Sequence, residues 1–252
     1  MKTTAASRRK KLRSEGLSRL CSQFVTQRSI DGVISVLDAM RDEEIGPEWL
    51  LRSLNNGWSP LNYACWDGFA DAAILMLDRG VSTLPHWWAQ DDSHLGASAL
   101  GLAVGAKAQS ADGLRLVREL ISRGVDIEAT GDQGGRPLCI AAGAGSATAL
   151  EVLLAAGADV GAVDHDGCSA LYRSIHSAGQ GAECMLLLLE AGADPHAKAG
   201  RHLSAIECME RNSSYASPGV KDRLRILRSW MEQRSIQESA APAPALRRSS
   251  RI

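Results

Sequence analysis

In "LRLVRELISRGVD" (residues 114–126) the apolar side chains Val117, Leu120 and Ile121 fall at i, i+3 and i+4. That spacing puts them on one face of a helix. The same stripe returns at Leu150, Leu153 and Leu154, and again at Met185, Leu188 and Leu189. A glycine closes each stripe (Gly124, Gly157, Gly192), as Gly80 closes an earlier apolar run, and glycine is the usual left-handed cap of a helix C-terminus. Ahead of each stripe lies a shorter, small-residue segment (Ala103; Ala141, Ala142). It is opened by a step ending in Leu or Ile: Ser59–Leu61, Ser98–Leu100, Arg136–Leu138, Ser169–Leu171 and Ser204–Ile206. The last residues of these steps are 39, 38, 33 and 35 apart. Ser59, Ser98, Ser169 and Ser204 can accept a hydrogen bond as N-caps, and Pro60 and Pro137 suit a first helical position. Gly57, Gly96 and Gly167, two residues before a serine, can turn the chain tightly. The pattern predicts a short helix, a turn and a Leu-rich helix, repeated. No such unit buries its apolar face alone, so each must stack on the next.

A period of 33 with insertions, opened by steps such as "SPL" and "RPL" and closed by "AAGAD" and "EAGAD", resembles the ankyrin-repeat family over about Gly57–Glu210. The resemblance implies an all-α solenoid of stacked helix-turn-helix units with helical caps at both ends. It divides the chain into a disordered basic segment (1–15), an N-terminal helical cap (16–54) and repeats over 55–198 (about 55–92, 93–130, 131–163 and 164–198). A degenerate last repeat with a capping helix (199–233) and a disordered tail (234–252) follow. The cap is read as a helix pair over residues 17–40. The closing helix begins at Ser217–Pro218, with Val220, Leu224, Leu227 and Met231 on one face and Lys221, Arg225 and Arg228 opposite.

The chain departs from the family at named positions. Asn62, Gly101, Cys139, Tyr172 and Glu207 stand where the family usually has His, so the hydrogen bonds made by that His are missing or altered. Arg136 replaces a capping Ser or Thr, and losing such a cap costs roughly 0.5–2 kcal/mol. Extra residues fall in Val81–His94, Gly105–Gly113 and His176–Glu183, where a solenoid extrudes loops.

Charge narrows the partners. Residues 1–13 hold Lys2, Arg8, Arg9, Lys10, Lys11 and Arg13 with no acid, and residues 247–252 hold three Arg. The intervening body has a net charge of −10, which makes it a poor phosphate binder, so nucleic acid is not an expected partner. No apolar run follows the basic start and none approaches the length of a membrane span. A cytoplasmic, monomeric protein is expected. Ser7–Arg13 resembles a nuclear-import cluster and equally a solvated tail, and export as an effector stays open. The six cysteines (21, 65, 139, 168, 184, 208) lack C-x-x-C pairs and read as reduced, buried thiols rather than a disulfide frame. His165 and Cys168 have ligand-like spacing but no second pair, so no metal is expected.

Catalytic motifs and cofactor loops are not found, and neither a catalytic residue nor a cofactor is expected. "GAGSAT" (Gly143–Thr148) lacks the strand and the Lys of a phosphate loop. The acid pairs Asp91–Asp92 and Asp164/Asp166 sit in turns, where carboxylates commonly cap backbone N–H groups. Binding is better supported. Five of the six tryptophans (Trp49, Trp58, Trp66, Trp87, Trp88) lie between residues 49 and 88. The family arrangement implies that Trp58 and Trp66 face the concave groove, with Trp87 and Trp88 in the insertion beside it. Two readings stay open: exposed partner contacts, or indoles folded back over the first unit and cap. Asn56, Asp132, Gln133, His165, Asp166, Cys168 and His176 occupy turn and groove positions as polar secondary contacts. The expected function is a non-enzymatic scaffold or adaptor binding another protein through its groove. The alternatives are a microbial effector or an inhibitor or immunity-type protein acting on a partner enzyme or host protein, and an enzyme with an unrecognised site.

Overall fold

The computed structural model describes residues 7, 15, 29–42, 59–81, 98–105, 109–131, 134–177, 179–197, 204–207 and 218–240. Ten longer helices follow in order: α1 (Ile30–Asp42), α2 (Pro60–Asp67), α3 (Ala70–Asp78), α4 (Ala99–Ala103), α5 (Ala111–Ser122), α6 (Pro137–Ala144), α7 (Ala147–Ala155), α8 (Ala170–Ile175), α9 (Gly181–Glu190) and α10 (Pro218–Ala240). They form two layers. The short helices α2, α4, α6 and α8 stack side by side, and α1, α3, α5, α7, α9 and α10 stack behind them. Among the described residues the only β pairing is one antiparallel bridge, Val163 to Ser169, in the hairpin between two units.

The caps explain why the pairs form where they do. Ser59, Ser98 and Ser169 accept hydrogen bonds from the N–H groups of Asn62, Gly101 and Tyr172 at 3.1, 2.8 and 3.2 Å. Ser204 and Glu207 complete a reciprocal capping box, each side chain accepting the other's N–H. Ser110, inside the second insertion, caps α5 through Gly113 N–H. Arg136 makes no such cap. Its guanidinium instead donates to Val163 O and pairs with Glu128, whose other oxygen accepts Asp159 N–H. Successive hairpins are thereby tied together. At the far end of each outer helix the chain reverses through one motif. Gly157, at φ 92°, donates to Leu154 O while Ala158 donates to Leu153 O. The same pair of bonds recurs at Gly80, Gly124 and Gly192. Asp126, Asp159 and Asp194 then each accept the N–H two residues on, the turn geometry of short acidic side chains.

The core lies between the layers. Val117, Leu120, Leu150, Leu153, Met185, Leu188 and Leu189 are fully buried, with Ala103, Ala141 and Ala142 filling the inner side. Small residues there let neighbouring units approach closely. On the outer edge, ion pairs step between units: Arg79–Asp38, Arg115–Asp71 and Arg123–Asp78, at 2.9, 2.7 and 2.6 Å. They are partly exposed, so each contributes only about 0–1 kcal/mol.

Both ends are covered. Helix α1 buries Val33, Leu37 and Met40 against the first unit; the rest of the expected helix pair lies outside the described residues. Helix α10 buries Leu224 and Leu227, with Val220 and Met231 packed alongside and Lys221, Arg225 and Arg228 outward. It continues to Ala240, past the boundary at 233 where a disordered tail was expected to begin. Residues 234–240 contain neither Gly nor Pro, so nothing local stops the helix. Ser7 and Glu15, in the segment expected to be disordered, are helical and exposed. The tail beyond residue 240 lies outside the described residues.

Candidate groove on the inner helices

One face of each inner helix is left uncovered by the outer layer. Counting from the capping residue, the positions that reach it recur in every unit. Seven residues after the cap stand Trp66, Gly105, Gly143 and His176; four residues after it stand Tyr63, Leu102, Ile140 and Arg173. Three and four residues along, and then a further turn, is one side of a helix. Trp66, Leu102, Gly105, Ile140, Gly143 and Arg173 from these registers, with Gly101 and Cys139 three residues after their caps, line a groove of about 470 Å3 that crosses the stack. The hairpins add Gly131, Gly135, Asp164, His165 and Asp166 to its wall. Its floor is low where the glycines lie. A Cβ built on Gly143 would find no atom nearer than the Arg173 Cβ, at 3.8 Å.

One end of the groove is aromatic. Trp66, at the end of α2, is 46% exposed, although tryptophan is usually well covered. The other end is charged. Asp164 is buried; one of its oxygens accepts Cys168 N–H at 2.9 Å and the other accepts Arg173 Nε at 2.8 Å. Arg173 also donates to Asp166 at 2.7 Å. Burial opposes the charge on Arg173, but hydrogen bonds to the two carboxylates outweigh it and raise its pKa. His165 sits beside Asp166, its Nε2 3.2 Å from a carboxylate oxygen. The hairpin is held in place by glycine. Gly134 has φ 62°, accepts His165 N–H at 3.1 Å, and leaves room for the imidazole where any Cβ would overlap it.

Of the residues singled out from sequence, Trp66, His165 and Asp166 line this groove. Cys168 does not join them at the surface. It is 3% exposed, because the chain turns inward between Asp164 and the cap Ser169, and burial raises its thiol pKa. Its expected part as a polar contact is corrected accordingly. His176 is exposed at the end of α8, its ring 4.8 Å from that of Tyr172 and its Nδ1 3.2 Å from Tyr172 O, and it does not line the groove. Asn56, Trp58, Trp87, Trp88, Asp132 and Gln133 lie outside the described residues, as does Trp49. Arg173, Ile140 and the floor glycines were not anticipated. The register counted from each cap was the signal that could have found them.

A thiol, an imidazole and two carboxylates do converge at the charged end, but their states do not favour chemistry. Burial, with the nearby Asp164 charge adding to it, pushes the Cys139 thiol up to about 12, which leaves almost no thiolate near neutrality. Its Sγ rests 3.8 and 3.7 Å from the carbonyl oxygens of Ala162 and Cys168, in place of the bonds a His would make there. Both carboxylates are engaged by Arg173. Cys65 and Cys184, also buried, are pushed up to about 12 and about 11, chiefly by desolvation. Among the described residues no three His, Cys, Asp or Glu are grouped to hold a metal ion, and no helix is long and apolar enough to cross a membrane.

Comparison with known families agrees with the stack. Residues 102–199 match the family model of ankyrin repeats in three copies. Ankyrin repeats generally mediate protein–protein interaction and are typically non-enzymatic modules. The matched span holds the hairpins, the Asp turns and the Leu-rich outer helices described above, and the pair α2–α3 repeats their geometry ahead of it. Residues 102–199 of the chain are thus a run of ankyrin repeats.

Proposed function

We propose that the chain is a non-enzymatic scaffold or adaptor whose concave groove binds a partner protein. The observation that carries this reading is a half-exposed indole, Trp66, at one end of a continuous groove on stacked, internally hydrogen-bonded units. A groove built on such units is already shaped before binding, so little ordering opposes association. A tryptophan covered at the centre of an interface commonly contributes about 2 kcal/mol or more, whereas rim charges contribute little. On this reading Trp66 dominates affinity and His165 and Asp166 orient the partner. Trp58, Trp87, Trp88, Asn56, Asp132 and Gln133 extend the surface, and His176 borders it.

The experiment is affinity purification of the full chain with mass spectrometry, repeated with Trp66→Ala and with Trp58→Ala. Specific partners recovered with the parent should be lost or at least about tenfold depleted with Trp66→Ala, the size expected of a hot-spot truncation. Circular dichroism confirms the fold of each variant. Unchanged recovery with an intact fold removes the groove from the account.

A further inference from the structure

We propose that Arg136 is a positioning residue for the groove: from outside it, the guanidinium sets the hairpin that carries Asp164, His165 and Asp166 against the preceding unit. This role rests on the groove reading above and concerns what holds that site in shape. In other units a serine stands at the corresponding place. Ser59, Ser98, Ser169 and Ser204 each accept the N–H of the residue three further on. Arginine has no acceptor to offer, and α6 begins without a side-chain cap. The chain gives up a helix cap here, and the longer side chain reaches something else.

What it reaches is a pair of hairpins. Nε donates to Val163 O at 3.0 Å and a terminal nitrogen donates to Glu128 Oε2 at 2.9 Å, while Glu128 Oε1 accepts Asp159 N–H at 2.8 Å. A planar fork of fixed donors holds a carbonyl and a carboxylate in one geometry, which the freely turning ammonium of a lysine does not. Val163 pairs with Ser169 across its hairpin. Within the hairpin Asp164 N–H donates to Cys168 O at 3.0 Å and Gly167 N–H to Asp164 O at 2.9 Å. So bonded, the hairpin moves as one piece, and the bond to Val163 O fixes where that piece stands. His165 N–H, 3.1 Å from Gly134 O, is a second tie to the same preceding unit.

Arg136 and Glu128 stand outside the lining, whereas Asp164, His165 and Asp166 belong to it, as do Gly131 and Gly135 on the near side of the seam. Replacing Arg136 therefore removes no atom of the groove. Apart from its charge, it can reach a bound partner only by shifting the wall, the way a supporting side chain acts on a site it does not touch. The Arg136–Glu128 pair has side chains 33% and 29% exposed, so it adds little to the stability of the stack. A serine in its place could cap Cys139 N–H and stabilise α6. Helix stability and wall placement should then respond in opposite directions to one substitution.

The test compares the full-length parent with Arg136→Ser and Arg136→Lys by amide hydrogen exchange, urea unfolding and recovery of the partners that Trp66→Ala loses. Arg136→Ser should speed exchange at Asp159, Asp164 and His165 by about tenfold or more, with the urea midpoint level or higher. Recovery of those partners should fall about three- to tenfold. Arg136→Lys keeps the charge without the fork and should lie between the two. Unchanged exchange in this hairpin means that Arg136 does not hold the wall. A lower midpoint with faster exchange in every unit makes it an ordinary tie of the stack. Either result overturns the positioning role and leaves groove binding standing. So does faster exchange with undiminished recovery, and so does Arg136→Lys restoring recovery in full while exchange stays fast, because charge rather than placement would then be read. If no partner depends on Trp66, the groove reading falls and this role falls with it.

Discussion

Leu153 and Gly143 belong to the same repeat, one on its outer helix and one on its inner helix, and they answer opposite demands. Leu153 is fully buried, and its counterparts on neighbouring outer helices, Leu120 and Leu188, are buried leucines too. Gly143 lies on the groove face, and its counterparts seven residues after the other caps are Trp66, Gly105 and His176. The outer positions are chemically uniform because each must fill the same space against the unit behind it. The inner positions share a backbone register and nothing else. Stability is held in the layer that repeats, and recognition in the register that does not.

The harshest test of that division is Leu153→Ala. Removing a fully buried leucine should cost about 2–5 kcal/mol, read as a lower urea midpoint by circular dichroism. Because every unit leans on its neighbours, the loss should also broaden or split the transition. A cost below about 1 kcal/mol, the range of an ordinary surface change, would mean that the outer layer is not what holds the stack.

A smaller effect is expected at the caps. Ser169→Ala removes the acceptor for Tyr172 N–H and should cost about 1 kcal/mol, with partner recovery little changed. The third unit already lacks this bond, because Arg136 reaches across to Glu128 and Val163 O instead. If Ser169→Ala also abolished binding, the separation between holding the stack and shaping the groove would fail on the inner helix itself.

Much of this was legible before any coordinates. The serine caps, the Leu stripes, the closing glycines and the apolar face of α10 are local signals with fixed spacings, and each lies where its spacing places it. Trp66 was reachable by resemblance alone. The register from the cap would have put Arg173 on the groove face, but its pairing with Asp164 and Asp166 was not legible, because they stand in a hairpin that only folding brings against α8. Cys168 misled for the related reason that sequence neighbours in a tight turn point opposite ways: His165 and Asp166 stay outside while Cys168, held by Asp164, turns in. The end of α10 was placed too early, since a change of composition marked the tail before any residue that breaks a helix.

The finest separation of the two layers comes from adding one methyl group. Gly143 lies within α6 and does not need a positive φ, and the nearest atom to a new Cβ would be 3.8 Å away, an ordinary contact. Glycine inside a helix costs roughly 0.5–1 kcal/mol relative to alanine, so Gly143→Ala should stabilise the chain by about that amount or somewhat less, read as a higher urea midpoint. The same methyl would raise the floor of the groove, and on the groove-binding reading partner affinity should fall. Opposite signs from one substitution mean that the bare backbone is kept for approach at the expense of helix stability, as stability–activity trade-offs lead one to expect. If Gly143→Ala is more stable and binds as tightly as the parent, the low floor has no part in recognition.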